Sequence, residues 1–129
     1  KKLIYTALLC TVSFTSNSYA QRGNTEITIN TENIQKTVVG NWSVTSIQPS
    51  DADVLIQDIS IKGPGYGEVM KKKADGTIAP VICKIYAQNN SELMFSDAEG
   101  YRVIYKVVSL TKNTMQLSNG KITINYKKN

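Results

Sequence analysis

From residue 38 onward, apolar and polar side chains alternate in short runs. Over 101–110, Tyr101, Val103, Tyr105 and Val107 share one face, and Arg102, Ile104, Lys106 and Val108 share the other. A period of two is the mark of a half-buried strand, and the charges turn the first set inward. The same reading places Val81, Cys83, Ile85 and Ala87 inward, with Lys84 and Tyr86 outward. It also turns in Leu93 and Phe95, Met115 and Leu117, and Ile122, Ile124 and Tyr126. Turn residues punctuate the runs: Gln48-Pro49-Ser50-Asp51, Gly63-Pro64-Gly65, Ala74-Asp75-Gly76, Asn89-Asn90-Ser91, Asp97-Ala98-Glu99-Gly100, Lys112-Asn113 and Ser118-Asn119-Gly120. The pattern predicts eight strands, over 39–47, 54–61, 66–72, 77–87, 92–96, 101–110, 114–117 and 122–127. Pro80 marks an edge or a bulge within the fourth.

Short connections make consecutive strands antiparallel neighbours, so the chain reads as an all-β, eight-stranded antiparallel meander. Closing the meander into a barrel removes its edges; a sandwich of the same strands satisfies the alternation equally. Ahead of the strands, residues 21–36 form a polar leader whose first part reads as mobile. Residues 31–38 predict a short helix, capped by Asn30 or Thr31, that closes one end of a 37–129 domain.

The N-terminus has a different pattern. Lys1 and Lys2 precede an apolar run from Leu3 to Phe14, and Ser18-Tyr19-Ala20 sets small residues at a cleavage site. This is the layout of a secretory signal peptide over 1–20. The run of about 12 residues falls short of the roughly 20 that cross a bilayer. Leu9 before Cys10 does not match a lipobox, so Cys10 is expected to leave with the peptide. The expected product starts at Gln21, carries no transmembrane segment, and is exported to the periplasm or beyond.

Composition narrows the chemistry. The 129 residues fit one domain, and 15 Lys plus Arg against 10 Asp plus Glu give +5; loss of Lys1 and Lys2 brings this to +3. Without histidine there is no Ser-His-Asp triad, no Cys–His pair and no His-ligated metal, and two cysteines cannot form a four-thiolate zinc site. Asp51/Asp53 and Asp97/Glu99 lie in turns and do not match a calcium loop. The glycine-rich 63–67 stretch opens a strand, not a helix, and is no phosphate loop. The expectation is a protein that is not an enzyme, with no cofactor and no metal. Nucleic acid is no partner for an exported domain of modest charge without an arginine cluster. The lone Cys83 of the mature chain is expected to be buried.

Gly40-Asn41-Trp42, at the start of the first strand and just after a short helix, resembles the lipocalin signature. The likeness spans about residues 31–128. It looks closest to the small lipocalin-like domains of secreted Bacteroidetes proteins, whose leaders also end in Ala-Gln. The resemblance implies a small lipocalin-like barrel with Trp42 as the plug of its closed end and Gly40 as a hinge. It implies that Lys127 or Lys128 takes the place of the family's arginine over the indole. It also implies a small apolar or amphipathic ligand entering opposite Trp42.

The candidate ligand-binding residues are Trp42, Gln57, Tyr101 and Tyr105. Gln57 falls on the face of Leu55, Ile59 and Ile61, where a buried amide needs a partner. Tyr101 and Tyr105 either line a pocket or pack the core. With Trp42, Phe95, Tyr101, Tyr105 and Tyr126 all inward, a filled interior is the alternative. A filled barrel would work through its surface, on a protein or cell-envelope partner. Lys71-Lys72-Lys73 is either a patch for anionic groups or a solvated hairpin tip.

Overall fold

The computed structural model describes residues 25–129; the expected signal peptide and cleavage site lie outside them. A helix, α1 (Thr31–Thr37), precedes eight strands: β1 (Gly40–Gln48), β2 (Ile56–Gly63), β3 (Gly65–Lys72), β4 (Ile78–Gln88), β5 (Glu92–Asp97), β6 (Arg102–Leu110), β7 (Thr114–Ser118) and β8 (Thr123–Lys128). Each strand pairs antiparallel with the next, and β8 returns to β1, so the sheet is a closed barrel and not a sandwich. The strand ends fall within two residues of those expected.

The inward faces match the alternation except in β2. There the pairing with β3 slips between Ile56 and Ile59, a bulge that changes the phase by one residue. Ile56 therefore turns into the core. Leu55, expected inward, is 40% exposed, and Gln57 is half-buried.

The connections β1–β2, β3–β4, β5–β6 and β7–β8 lie at one end of the barrel, its mouth. α1 and the remaining connections close the other end. The Asn30 side chain accepts from the Asn33 N–H at 2.8 Å, capping α1. Glu32 in the first turn and Lys36 in the last suit the helix dipole. Seven residues do not hold a helix alone; docking does, through the fully buried Ile34 and Val38. Gln35 Oε1 also accepts the Ala87 N–H at 3.0 Å, beyond the end of β3. The segment before α1 departs from the mobile leader expected. The Ile27 N–H donates to Leu110 O at 2.8 Å, and Ile27 and Ile29 pack on the core.

Trp42 is buried at the closed end, and its indole N–H donates to Val38 O at 2.9 Å. Of the two expected lysines, Lys128 covers it. Its Nζ lies 4.9 Å from the ring centroid and donates to Thr37 O at 2.9 Å. Gly40 has φ +139°, and a Cβ there would lie 3.2 Å from Lys128 Cε. The hinge therefore needs glycine both for its backbone and for the lysine stem beside it. Above Trp42 the interior is filled by Ile59, Ile85, Leu93, Phe95, Leu117, Ile124 and Tyr126, all buried.

Two substitutions test this packing by chemical denaturation. Trp42→Ala is expected to cost about 3–5 kcal/mol, and a loss under about 1 kcal/mol would place the indole outside the core. At Gly67 a Cβ would lie 2.5 Å from Ser60 O and 2.9 Å from Ile61 Cα, both backbone atoms. Gly67→Ala is therefore expected to destabilise by about 1–3 kcal/mol; an unchanged midpoint would show that β2 and β3 separate freely.

Candidate functional site

The mouth carries an inward polar cluster above the packed floor. Strand alternation sets Lys71 on the face of Gly67 and Val69, and Asp97 on the face of Leu93 and Phe95. The two meet inside the barrel, with Lys71 Nζ 3.1 Å from Asp97 Oδ2 and side chains 18% and 2% exposed. The ammonium also lies 4.1 Å from the centroid of the Tyr101 ring. Asp97 Oδ1 accepts the N–H groups of Tyr101 at 2.9 Å and Glu99 at 3.0 Å, so this carboxylate organises the β5–β6 turn. Burial by itself would raise the Asp97 pKa. The hydrogen bond from Lys71 and those from the backbone outweigh it and hold the carboxyl below its usual range.

Tyr105 lies deeper, below Val103 on β6, packed edge-on to Phe95 at 6.1 Å between centroids and 81° between planes. Burial, with a smaller contribution from Tyr101, pushes its hydroxyl up to about 12. Burial also raises Tyr101. Neither phenol oxygen has a hydrogen-bond partner among the described residues. Tyr126 differs: its hydroxyl donates to Gln57 O at 3.1 Å. Val81, Val103 and Ile122, partly buried, pack on the core from the inward face. Rim and wall residues Lys71, Lys73, Pro80, Val81, Ala98 and Glu99 border a cleft of about 450 Å³.

Of the four candidate residues, Tyr101 lies half-buried at the mouth, while Tyr105, paired with Leu93, is buried in the core below it. Trp42 lies at the opposite end as the plug. The Gln57 side chain folds back, its Nε2 donating to Val54 O at 2.7 Å, so its amide has a local partner. Lys71 and Asp97 join the site although neither was singled out for it. Lys71 reads as part of a charged run and Asp97 as a turn residue, yet the alternation Gly67–Val69–Lys71 and Leu93–Phe95–Asp97 points both inward. The lysine run is no single patch: Lys71 turns in to Asp97, and Lys72 pairs at the surface with Asp53 at 2.8 Å. Cys83 is buried beneath the cluster as expected, and burial raises its thiol pKa.

A closed eight-stranded meander with a helix and tryptophan at its base and an open mouth above is a lipocalin-like barrel. Two solved structures share it. A lipocalin-like protein from Bacteroides uniformis is similar at TM-score 0.55 and 13% identity, over 72% of this chain and 99% of that one. An uncharacterized protein from Bacteroides eggerthii is similar at TM-score 0.54 and 14% identity, over 70% of this chain and 98% of that one. The fold is therefore that of the small lipocalin-like domains expected from Gly40-Asn41-Trp42. No protein-family model and no curated protein matches the chain.

The Asp97 carboxyl gives a pH test. Its pKa is lower folded than unfolded, so it stabilises the fold at neutral pH. That contribution is lost as pH falls below about 4, where the unfolded chain takes up the proton first. In urea denaturation Asp97→Asn is expected to be less stable than the parent at pH 7 and to converge with it on acidification. A constant difference across that range would remove the ion pair from the stability of the mouth.

Proposed function

We propose that this chain is an exported binding protein that takes a small apolar or amphipathic ligand at the mouth of its barrel. One observation carries the reading. Tyr101 faces inward above a packed floor that includes Tyr105, with a hydroxyl that no described protein group occupies, beside the Lys71 ammonium. An apolar wall with a few converging polar groups is the usual composition of a ligand site. The Tyr101 ring and Val81 remove apolar surface from water, while the Tyr101 hydroxyl and the Lys71 ammonium orient a polar end. Lys71 and Val81, next to Tyr101, border a cleft of about 450 Å³, within the roughly 300–1,000 Å³ of small-ligand sites. The floor of buried aromatics keeps the ligand shallow, at the rim and not beside Trp42. The leader pattern over residues 1–20 supports export. Fold analogy supports a binding role without specifying what is bound.

Native mass spectrometry of the protein from its own cells is expected to show an adduct lost on denaturation. The fluorescent probe 1-anilinonaphthalene-8-sulfonate is expected to bind once, with Tyr101→Ala and Lys71→Met each weakening it about tenfold. The absence of any adduct, together with probe binding indifferent to both substitutions, would overturn the mouth as the site.

A further inference from the structure

β4 has eleven residues and β5 six. Their pairing runs from Cys83↔Asp97 to Gln88↔Glu92, so the first five residues of β4, Ile78–Ile82, pair with β3 alone. Where β5 would continue, the chain turns away through Asp97–Gly100. The wall of the barrel therefore has a gap at the mouth, bounded by a free strand edge.

The backbone direction along that edge follows from two bonds. The Ala87 N–H leaves β5 aside and donates to Gln35, on the β3 side beyond the end of β3. Odd-numbered residues of β4 thus point their backbone groups toward β3, and even-numbered ones toward β5. Pro80 agrees, since it has no N–H yet sits within the β3 pairing opposite Met70. Ile78 therefore presents N–H and C=O into the gap, Pro80 its C=O and Ile82 its N–H, while the Ile82 C=O faces Ala98 at the end of the β5 pairing. No hydrogen bond among the described residues fills these positions.

The gap is open on both faces of the wall. Outside lies a groove of about 450 Å³ bordered by Tyr66, Ile82, Lys84, Ser96 and Ala98. Inside lies the cleft of similar size that reaches Lys71 and Lys73. Ile82, Asp97 and Ala98 border both. Groups at strand spacing with a cleft on either face fit an extended polypeptide, whose side chains alternate between the two faces. Ile82 is 74% exposed and Ile78 52%, which calls for apolar contacts. On the inner cleft Lys73 has no salt-bridge partner among the described residues, which calls for acidic side chains on that face; Lys84, unpaired as well, lies on the outer face with Ile82. Glu99 is the one carboxylate on the rim of the inner cleft not already bound to Lys71. A second copy paired at the same edge would set these cations against their counterparts. Pro80 removes the central donor and so disfavours open-ended sheet growth.

We propose that this gap binds an extended segment of a partner protein, alternating apolar and acidic residues, by strand addition to Ile78–Ile82. Strand addition goes beyond the small-ligand reading. The two share the inner cleft at Lys71, but strand addition reads the β4 backbone and the small ligand reads Tyr101, so amide shifts at Ile78 and Ile82 and probe binding at Tyr101 let either fail alone. The test is amide NMR of the chain with the capped peptide acetyl-Val-Glu-Val-Glu-Val-amide. The Ile78 and Ile82 amides are expected to shift and gain protection from exchange, while Ala79 and Val81, already facing β3, keep theirs. Of two alternately N-methylated versions of the peptide, one is expected to bind about tenfold more weakly and the other unchanged, because one face donates to β4. Replacing glutamate by lysine is expected to abolish binding. Silent Ile78 and Ile82 amides, equal binding of both methylated peptides, or equal binding of the lysine peptide would each overturn the proposal. So would concentration-dependent shifts at these amides without peptide, which would make a second copy the occupant.

Discussion

The indole of Trp42 joins three parts of the molecule that are otherwise far apart in the chain. Its N–H is bonded to the residue that ends α1, its face lies under Lys128 from β8, and its backbone belongs to β1. An apolar ring this large, buried with one polar atom, needs both a cavity and an acceptor. The helix end supplies the acceptor and the closed sheet supplies the cavity. Lys128 in turn donates to Thr37 O, so an exposed helix carbonyl gains a partner. Removing any one of these groups leaves another with an unmet bond, and this mutual dependence fixes the lower end of the barrel as rigid.

A rigid base has a consequence for the top. Eight strands enclose an interior just wide enough for side chains or one small ligand. Here Phe95, Tyr105, Tyr126 and the aliphatic residues around them take most of that room. Polar chemistry is pushed upward, to where β3 and the β5–β6 turn hold Lys71 against Asp97. The pair is buried enough to have direction and satisfied enough to avoid the cost of a lone charge. It also ties the β5–β6 turn to β3 across the inner face of β4, beside Tyr101.

Much of this was legible in the sequence. Period-two alternation located all eight strands, and the glycine two residues before Trp42 marked the closed end. Sequence reading fell short at β2, where a bulge reverses the phase and turns Leu55 outward, because alternation carries no sign of an inserted residue. It also fell short at the mouth. Lys71 sits in a run of like charges, and Asp97 in a string of turn formers, so local composition masks the inward alternation of both. Pairing partners from separate strands cannot be read from either segment alone. The polar stretch around Ile27 and Ile29 has two apolar residues among many polar ones, too few to announce that it docks on the barrel.

The register of the barrel separates two kinds of closure. Seven of its eight strand pairings join sequence neighbours, and each can form from a short loop with little loss of chain freedom. The eighth joins β1 to β8, as in Val44↔Tyr126 and Gln48↔Thr123, across nearly the whole domain. That single long-range step carries the entropy of ring closure, and it is also the step that covers Trp42. The meander is therefore able to assemble hairpin by hairpin as an open ribbon, and becomes a vessel only when its two ends meet over the tryptophan. The seam between β1 and β8, more than any other part of the wall, is where the ribbon and the vessel interconvert.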